Sequence, residues 1–292
     1  MSGQLKIGTI KILTVVVLVL GLITIFLLFN GHRAPVDPST SPIKITAKWE
    51  LPNVLREISA ISWVSQDMIA AVQDEEGVIF MYDLANNKLA NSYKFGDDGD
   101  YEGLVVLGEN AFVLRSDGDL FEVRGYKNPQ PQVEVYKTPF KSKHNMETLT
   151  FDKERNSLLM VPKDRNLEDD TFKGIYAFSL DTYELNTEAV MKISLDDEML
   201  TPFVRKHQNK TFRPSDMAIH PKTGDLYILE GTRPKLMIMS SNNEIKGVYP
   251  LDPQLFPQPE GITFSEDGEL YVASEAGRGS EGVIYKLVLT EL

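Results

Sequence analysis

Two patterns of hydrophobic and polar positions divide the chain. From Ile12 to Phe29 eighteen residues run without a charge, as ILTVVVLVLGLITIFLLF. At ~1.5 Å per residue in a helix this run nearly crosses a hydrocarbon core of roughly 30 Å, and Ile10 extends it. The pattern predicts a membrane-spanning helix over residues 10–29. After residue 42 the apolar positions come instead in short runs of strand length. These runs are rich in β-branched and aromatic residues and are separated by Asp-Gly, Thr-Gly and Asn-rich turns.

The short runs repeat. An acidic residue opens an apolar strand, a turn follows, and a second strand closes on another acid. The copies begin at Glu57 (EISAIS), Glu102 (EGLVVL), Glu147 (ETLTFD), Asp216 (DMAIHP) and Glu260 (EGITFS), at intervals of 45, 45, 69 and 44 residues. The long interval holds polar insertions at Asn166 to Lys173 and Asp196 to Lys210, which read as surface loops. A third run follows in every copy and a fourth in the first four. Four short strands per period of about 45 residues predict a β-propeller rather than a sandwich or a barrel. The last copy lacks its fourth strand, whereas Ile43 to Leu51 stands before the first copy without a blade. The economical arrangement is an all-β, five-bladed propeller in which that N-terminal strand closes the last blade. A six-bladed ring with a divergent blade in the insertion is the alternative.

The flanks set the topology. Lys6 and Lys11 precede the apolar run while Arg33 follows it, a small positive-inside bias that keeps the N-terminus cytoplasmic. No small-residue cleavage site follows the run, so an uncleaved anchor is expected rather than a signal peptide. The expected organisation is a cytoplasmic segment over 1–9, the helix over 10–29, an extended Pro- and Ser-rich linker over 30–42 and the propeller over 43–292.

Composition adds the chemistry. The 42 acidic against 30 basic side chains give a net charge of −12, which excludes nucleic acid as a partner, since binding it takes a basic face. The chain has no cysteine, so disulfides, thiolate metal sites and cysteine nucleophiles are excluded. Inner strands of a propeller line its channel, so Glu57, Glu102, Glu147, Asp216 and Glu260 are predicted to converge there. Carboxylates gathered in this way cannot all ionise without compensation. A cation supplies it, and a wide all-oxygen ring suits Ca²⁺ better than Mg²⁺. The alternative is that each acid binds backbone amides at a blade turn. A second ring closes the second strands: Asp74, Asp117, Asp164, Glu230 and Glu275, with ordinary surface pairing as its alternative. Arg115, Lys163 and Arg213 near the same strand ends form a candidate site for a phosphate or carboxylate. The four histidines show no metal-ligand spacing, and GRGSEG from Gly277 leads into a strand, so it is not a dinucleotide loop.

The motifs Tyr101-Glu102-Gly103-Leu104 and Pro259-Glu260-Gly261-Ile262 carry a resemblance. Together with Glu57-Ile58-Ser59-Ala60-Ile61, Asn145-Met146-Glu147 and Pro214-Ser215-Asp216, the chain resembles the SdiA-regulated (YjiK/CarP) family of membrane-anchored bacterial β-propellers. The resemblance implies a calcium-associated propeller in the cell envelope, linked to calcium homeostasis, with some members phytase-like. Thr148 and Met217 stand where the acid-Gly motif would have glycine. The expectation is therefore a Ca²⁺-binding scaffold or calcium-homeostasis module, held in the bacterial inner membrane by one span and facing the periplasm. A small anion or a protein is its expected partner. The alternative is a calcium-dependent phosphoesterase or lactonase.

Overall fold

The computed structural model describes residues 41–277 and 280–290. The expected cytoplasmic segment, the expected span over 10–29 and most of the linker lie outside the described residues. Among the described residues no helix is long and apolar enough to cross a membrane.

Five four-stranded antiparallel sheets form among the described residues, one per sequence repeat. Blade 1 is β2 (Ile58–Ser65), β3 (Met68–Gln73), β4 (Val78–Asp83) and β5 (Lys88–Lys94). Blade 2 is β6 (Tyr101–Leu107), β7 (Asn110–Arg115), β8 (Leu120–Arg124) and β9 (Gln132–Tyr136). Blade 3 is β10 (Thr150–Asp152), β11 (Ser157–Met160), β12 (Phe172–Ser179) and β13 (Met191–Ser194). Blade 4 is β14 (Pro214–Ile219), β15 (Leu226–Glu230), β16 (Lys235–Met239) and β17 (Ile245–Pro250). Blade 5 is β18 (Gln258–Phe264), β19 (Leu270–Glu275) and β20 (Val283–Leu289), completed on its outer edge by β1 (Ile43–Glu50). The molecule is a five-bladed propeller with the expected closing strand, and no sixth blade forms in the insertion.

The core sits between blades rather than within one. Each sheet buries both faces of its inner strands, and the five apolar clusters occupy the five seams. Leu159, Ile175 and Met191 of blade 3 meet Ile228 and Met237 of blade 4. Leu51, Leu55 and Ile58 meet Tyr271, Ala273 and Ile284 where blade 5 closes on blade 1. This is why the strands of the inner layers read as continuous apolar runs while β9 at an outer edge does not. The insertion after β13 folds into two short 3₁₀ turns, Glu198–Phe203 and Gln208–Lys210, and tucks Leu200 and Phe212 into the seam of blades 3 and 4. Ring closure is fixed by the β1–β20 ladder, by Leu51 N–H donating to the Gly282 carbonyl at 2.8 Å, and by the Trp49 indole donating to the Leu84 carbonyl at 2.9 Å.

Candidate functional site

Each inner strand carries one extra residue near its start. The pairing register shifts between Ile58 and Ala60, between Tyr101 and Gly103, between Pro214 and Asp216, and between Pro259 and Gly261. Blade 3 shows the same one-residue offset between the Met146–Pro162 bridge and the Thr150–Leu159 pair. The bulged residues are therefore Ser59, Glu102, Glu147, Ser215 and Glu260. A bulge releases one side chain from the pleat and re-aims it.

The two serines turn to the next blade. Ser59 Oγ donates to the Tyr101 carbonyl at 2.6 Å and Ser215 Oγ to the Pro259 carbonyl at 2.7 Å. The three glutamates feel one another instead. Burial first, then Glu147 and Glu260, push the Glu102 carboxyl up to about 10. Burial and then Glu147 push Glu260 up to about 8, against the pull of Lys163 and Arg213. Glu147 is raised to about 7 by burial, although Lys163 and Arg213 oppose it. Lys163 Nζ donates to Glu147 Oε1 at 2.6 Å, as does Asn145 Nδ2 at 2.7 Å. Burial works against the Lys163 charge, but Glu260, Glu147 and Glu102 together hold that ammonium protonated. Lys173, nearly fully buried, fixes the Lys163 segment by donating to the Lys163 carbonyl at 2.7 Å and to the Asp164 carbonyl.

The residue after the bulge explains the acid-Gly motif. A Cβ on Gly103 would meet Leu149 Cβ at 2.7 Å, and one on Gly261 would meet Ile61 at 3.0 Å, so the strand presses on the next blade there. In blade 3 this position is Thr148, whose hydroxyl donates to the Val161 carbonyl. In blade 4 it is Asp216, so the glycine-equivalent residue is Asp216 rather than Met217. Asp216 Oδ2 accepts the Ile262 amide at 2.8 Å. Complete burial raises its pKa well above the carboxylate range, while the amides of Ile262, Met217 and Leu149 hold it back. Glu57 lies two residues before its bulge and is exposed. The structure thus brings Glu102, Glu147 and Glu260 together, and sets Asp216 between blades and Glu57 at the rim.

The second ring divides as well. Asp74 and Glu275 join the acidic side. Burial, Glu260 and Asp74 raise Glu275 to about 7, and burial with Glu57 raises Asp74, whose Oδ1 is buried without a hydrogen bond. Asp117 pairs with Arg115 at 2.8 Å, Asp164 with Arg213 at 2.9 Å, and Glu230 with Arg233 at 3.0 Å and Lys235 at 2.5 Å. Of the three cations expected to hold an anion, Lys163 and Arg213 act on the glutamate cluster, whereas Arg115 turns to Asp117 and Asp119. His144 is buried against Phe140 and accepts the Lys141 amide at 2.7 Å, which leaves it a structural role.

The donor set, buried oxygens that repel one another, is chemically that of a hard-cation site. Its spacing is looser: among the described residues no group of three or more such side chains stands at metal-binding distances. Lys163 and Arg213 are the cations that act on this donor set. The serine bulges and Lys173 were not among the sequence candidates. The Ser59-Ala60 and Ser215-Asp216 pairs, set against Glu102-Gly103 and Glu260-Gly261, carried that signal.

Many solved structures are similar to the chain, among them two that match over most of their own length. Glutaminyl cyclase of Myxococcus xanthus superposes with a TM-score of 0.58 at 12% identity, over 86% of this chain and 97% of its own. A luciferin-regenerating enzyme gives 0.52 at 11% identity, over 84% and 94%. At such identities the likeness concerns the fold alone. No functionally curated protein matches the sequence. The model of the SdiA-regulated family matches residues 39–278, from β1 through blades 1 to 4 and the first two strands of blade 5, and the chain belongs to that family.

Proposed function

We propose that the chain is a calcium-binding propeller module, anchored to the bacterial inner membrane by residues 10–29, whose periplasmic channel mouth takes up Ca²⁺ and serves calcium homeostasis or scaffolding. One observation carries this reading: Glu147 and Glu260 are buried with Glu102 partly buried beside them, and burial raises all three carboxyls although Lys163 stands among them. A hard divalent cation supplies the missing charge, and the flexible coordination of Ca²⁺ tolerates ligands that come from three separate blades. Asp74, with its unbonded oxygen, and Asp100, hydrogen-bonded to Glu102, are further oxygen donors on the same side. Melting of the purified chain with and without Ca²⁺ tests this. A Ca²⁺-dependent rise in melting temperature that vanishes in Glu102→Gln is expected; no rise in the unaltered chain overturns it.

A hydrolytic reading has one support of its own. Lys163 and Arg213 stand beside the carboxylates and suit the anionic part of a phosphate ester. Turnover of a phosphate ester or a lactone that is lost in Glu147→Gln would establish it.

A further inference from the structure

The seam where blade 5 closes on blade 1 holds a second concavity, independent of the acidic mouth. β2 leaves the mouth at Ser59 and ends at Ser65, so the turns that follow β2 and β18 lie at the opposite end of the propeller. There the seam opens into a cleft of about 540 Å³. Its floor is aromatic. The only two tryptophans of the chain, Trp49 and Trp63, stand 6.1 and 5.2 Å from the Tyr271 ring centroid. Trp49 spends its indole N–H on the Leu84 carbonyl, whereas the Trp63 indole N–H has no partner among the described residues.

The rim is acidic and unpaired. Asp67 follows β2, and Glu266 and Asp267 follow β18, and none of them has an ion pair among the described residues. The one acid that is paired shows what the floor accepts. Lys286 Nζ binds Glu269 at 2.6 Å while standing 5.9 Å from the Tyr271 centroid, so a cation already rests against this aromatic surface.

We propose that this cleft binds a small hydroxylated organic cation of the amino-sugar or amino-alcohol class. Its ammonium group lies against the tryptophan faces, where the ring quadrupole attracts it. Asp67, Glu266 and Asp267 supply the opposite charge. A hydroxyl accepts the free Trp63 N–H, and others donate to Gln66 and the carboxylates. A neutral sugar keeps the stacking and hydroxyl bonds but loses the charge, and an anion is repelled.

The two tryptophans make the site its own reporter. Intrinsic fluorescence of the full chain is titrated with D-glucosamine at neutral pH, with D-glucose as the neutral comparator. A saturable change with glucosamine in the millimolar range is expected, at least about tenfold weaker with glucose. The triple substitution Asp67→Asn, Glu266→Gln, Asp267→Asn, confined to exposed turn residues, weakens glucosamine about tenfold. Trp63→Phe weakens it while Trp49 still reports. Glu102→Gln leaves it unchanged, which separates this site from the mouth. Equal responses to the two sugars, no saturable response to glucosamine, or an unaltered response in the triple variant would each overturn the proposal.

Discussion

Blades 1 and 4 carry a serine at the inner-strand bulge, whereas blades 2, 3 and 5 carry a glutamate. The backbone irregularity is the same in all five. Where the side chain is short, it reaches the neighbouring carbonyl and fastens one blade to the next. Where it is long and acidic, it clears the backbone and meets its counterparts from other blades. One structural device thus serves cohesion on two blades and charge concentration on three. The five-fold repeat of the chain is not a five-fold site.

Asp216 should break this comparison most severely, because it is an acid that serves cohesion. Asp216→Ala leaves the buried Ile262 amide without its acceptor and should cost about 1–3 kcal/mol in denaturant unfolding, with any Ca²⁺ response of the remaining folded protein intact. Glu102→Gln, Glu147→Gln and Glu260→Gln should do the reverse, abolishing the Ca²⁺-dependent melting shift while leaving the metal-free protein as stable or more so. Gly231→Ala sharpens this. A Cβ there would lie 3.0 Å from the Glu260 carboxyl carbon, so it should displace that carboxylate and weaken the shift without touching an acid.

The pH profile separates the two groups next. Glu102, Glu147 and Glu260 have folded-state values above the ordinary 4.5, so the folded protein holds protons that the unfolded chain has released. Stability should therefore fall as pH rises from about 5 to 8 without Ca²⁺, by a few degrees in melting temperature, and flatten in Glu102→Gln. Above pH 8 Lys173 and Lys235, both lowered by burial to about 8, lose protons in the folded state first and work in the opposite direction. The smallest effect belongs to the serines. Ser59→Ala and Ser215→Ala should each cost about 1 kcal/mol and leave the Ca²⁺ response unchanged.

The architecture was legible in the sequence because a blade is local: four strands and three turns fall within one period, and the unmatched strand at Ile43 identified its own partner. The site was legible only by letter. Glu57 and Asp216 align with Glu102 as acids that open apolar runs, yet the bulge places them two residues before and one residue after the channel-facing position. A single-residue offset does not show in composition or periodicity, and it sends a side chain to a different surface. Lys163 was read as a rim cation. Only the fold shows its ammonium on Glu147, held there through Lys173 from a strand that the intervening loop brings back.

The closing strand has a consequence for the order of folding. Thr46 bonds to Lys286 across 240 residues, so blade 5 cannot be completed until nearly the whole chain has emerged. Blades 1 to 4 have only local strand pairs and can form as they are made, while β1 waits as an unpaired edge. Among the described residues the β1–β20 ladder is thus the one strand pairing of the ring that joins the two ends of the propeller sequence. A chain cut short before Val283 would leave the ring open and β1 free to pair with another molecule.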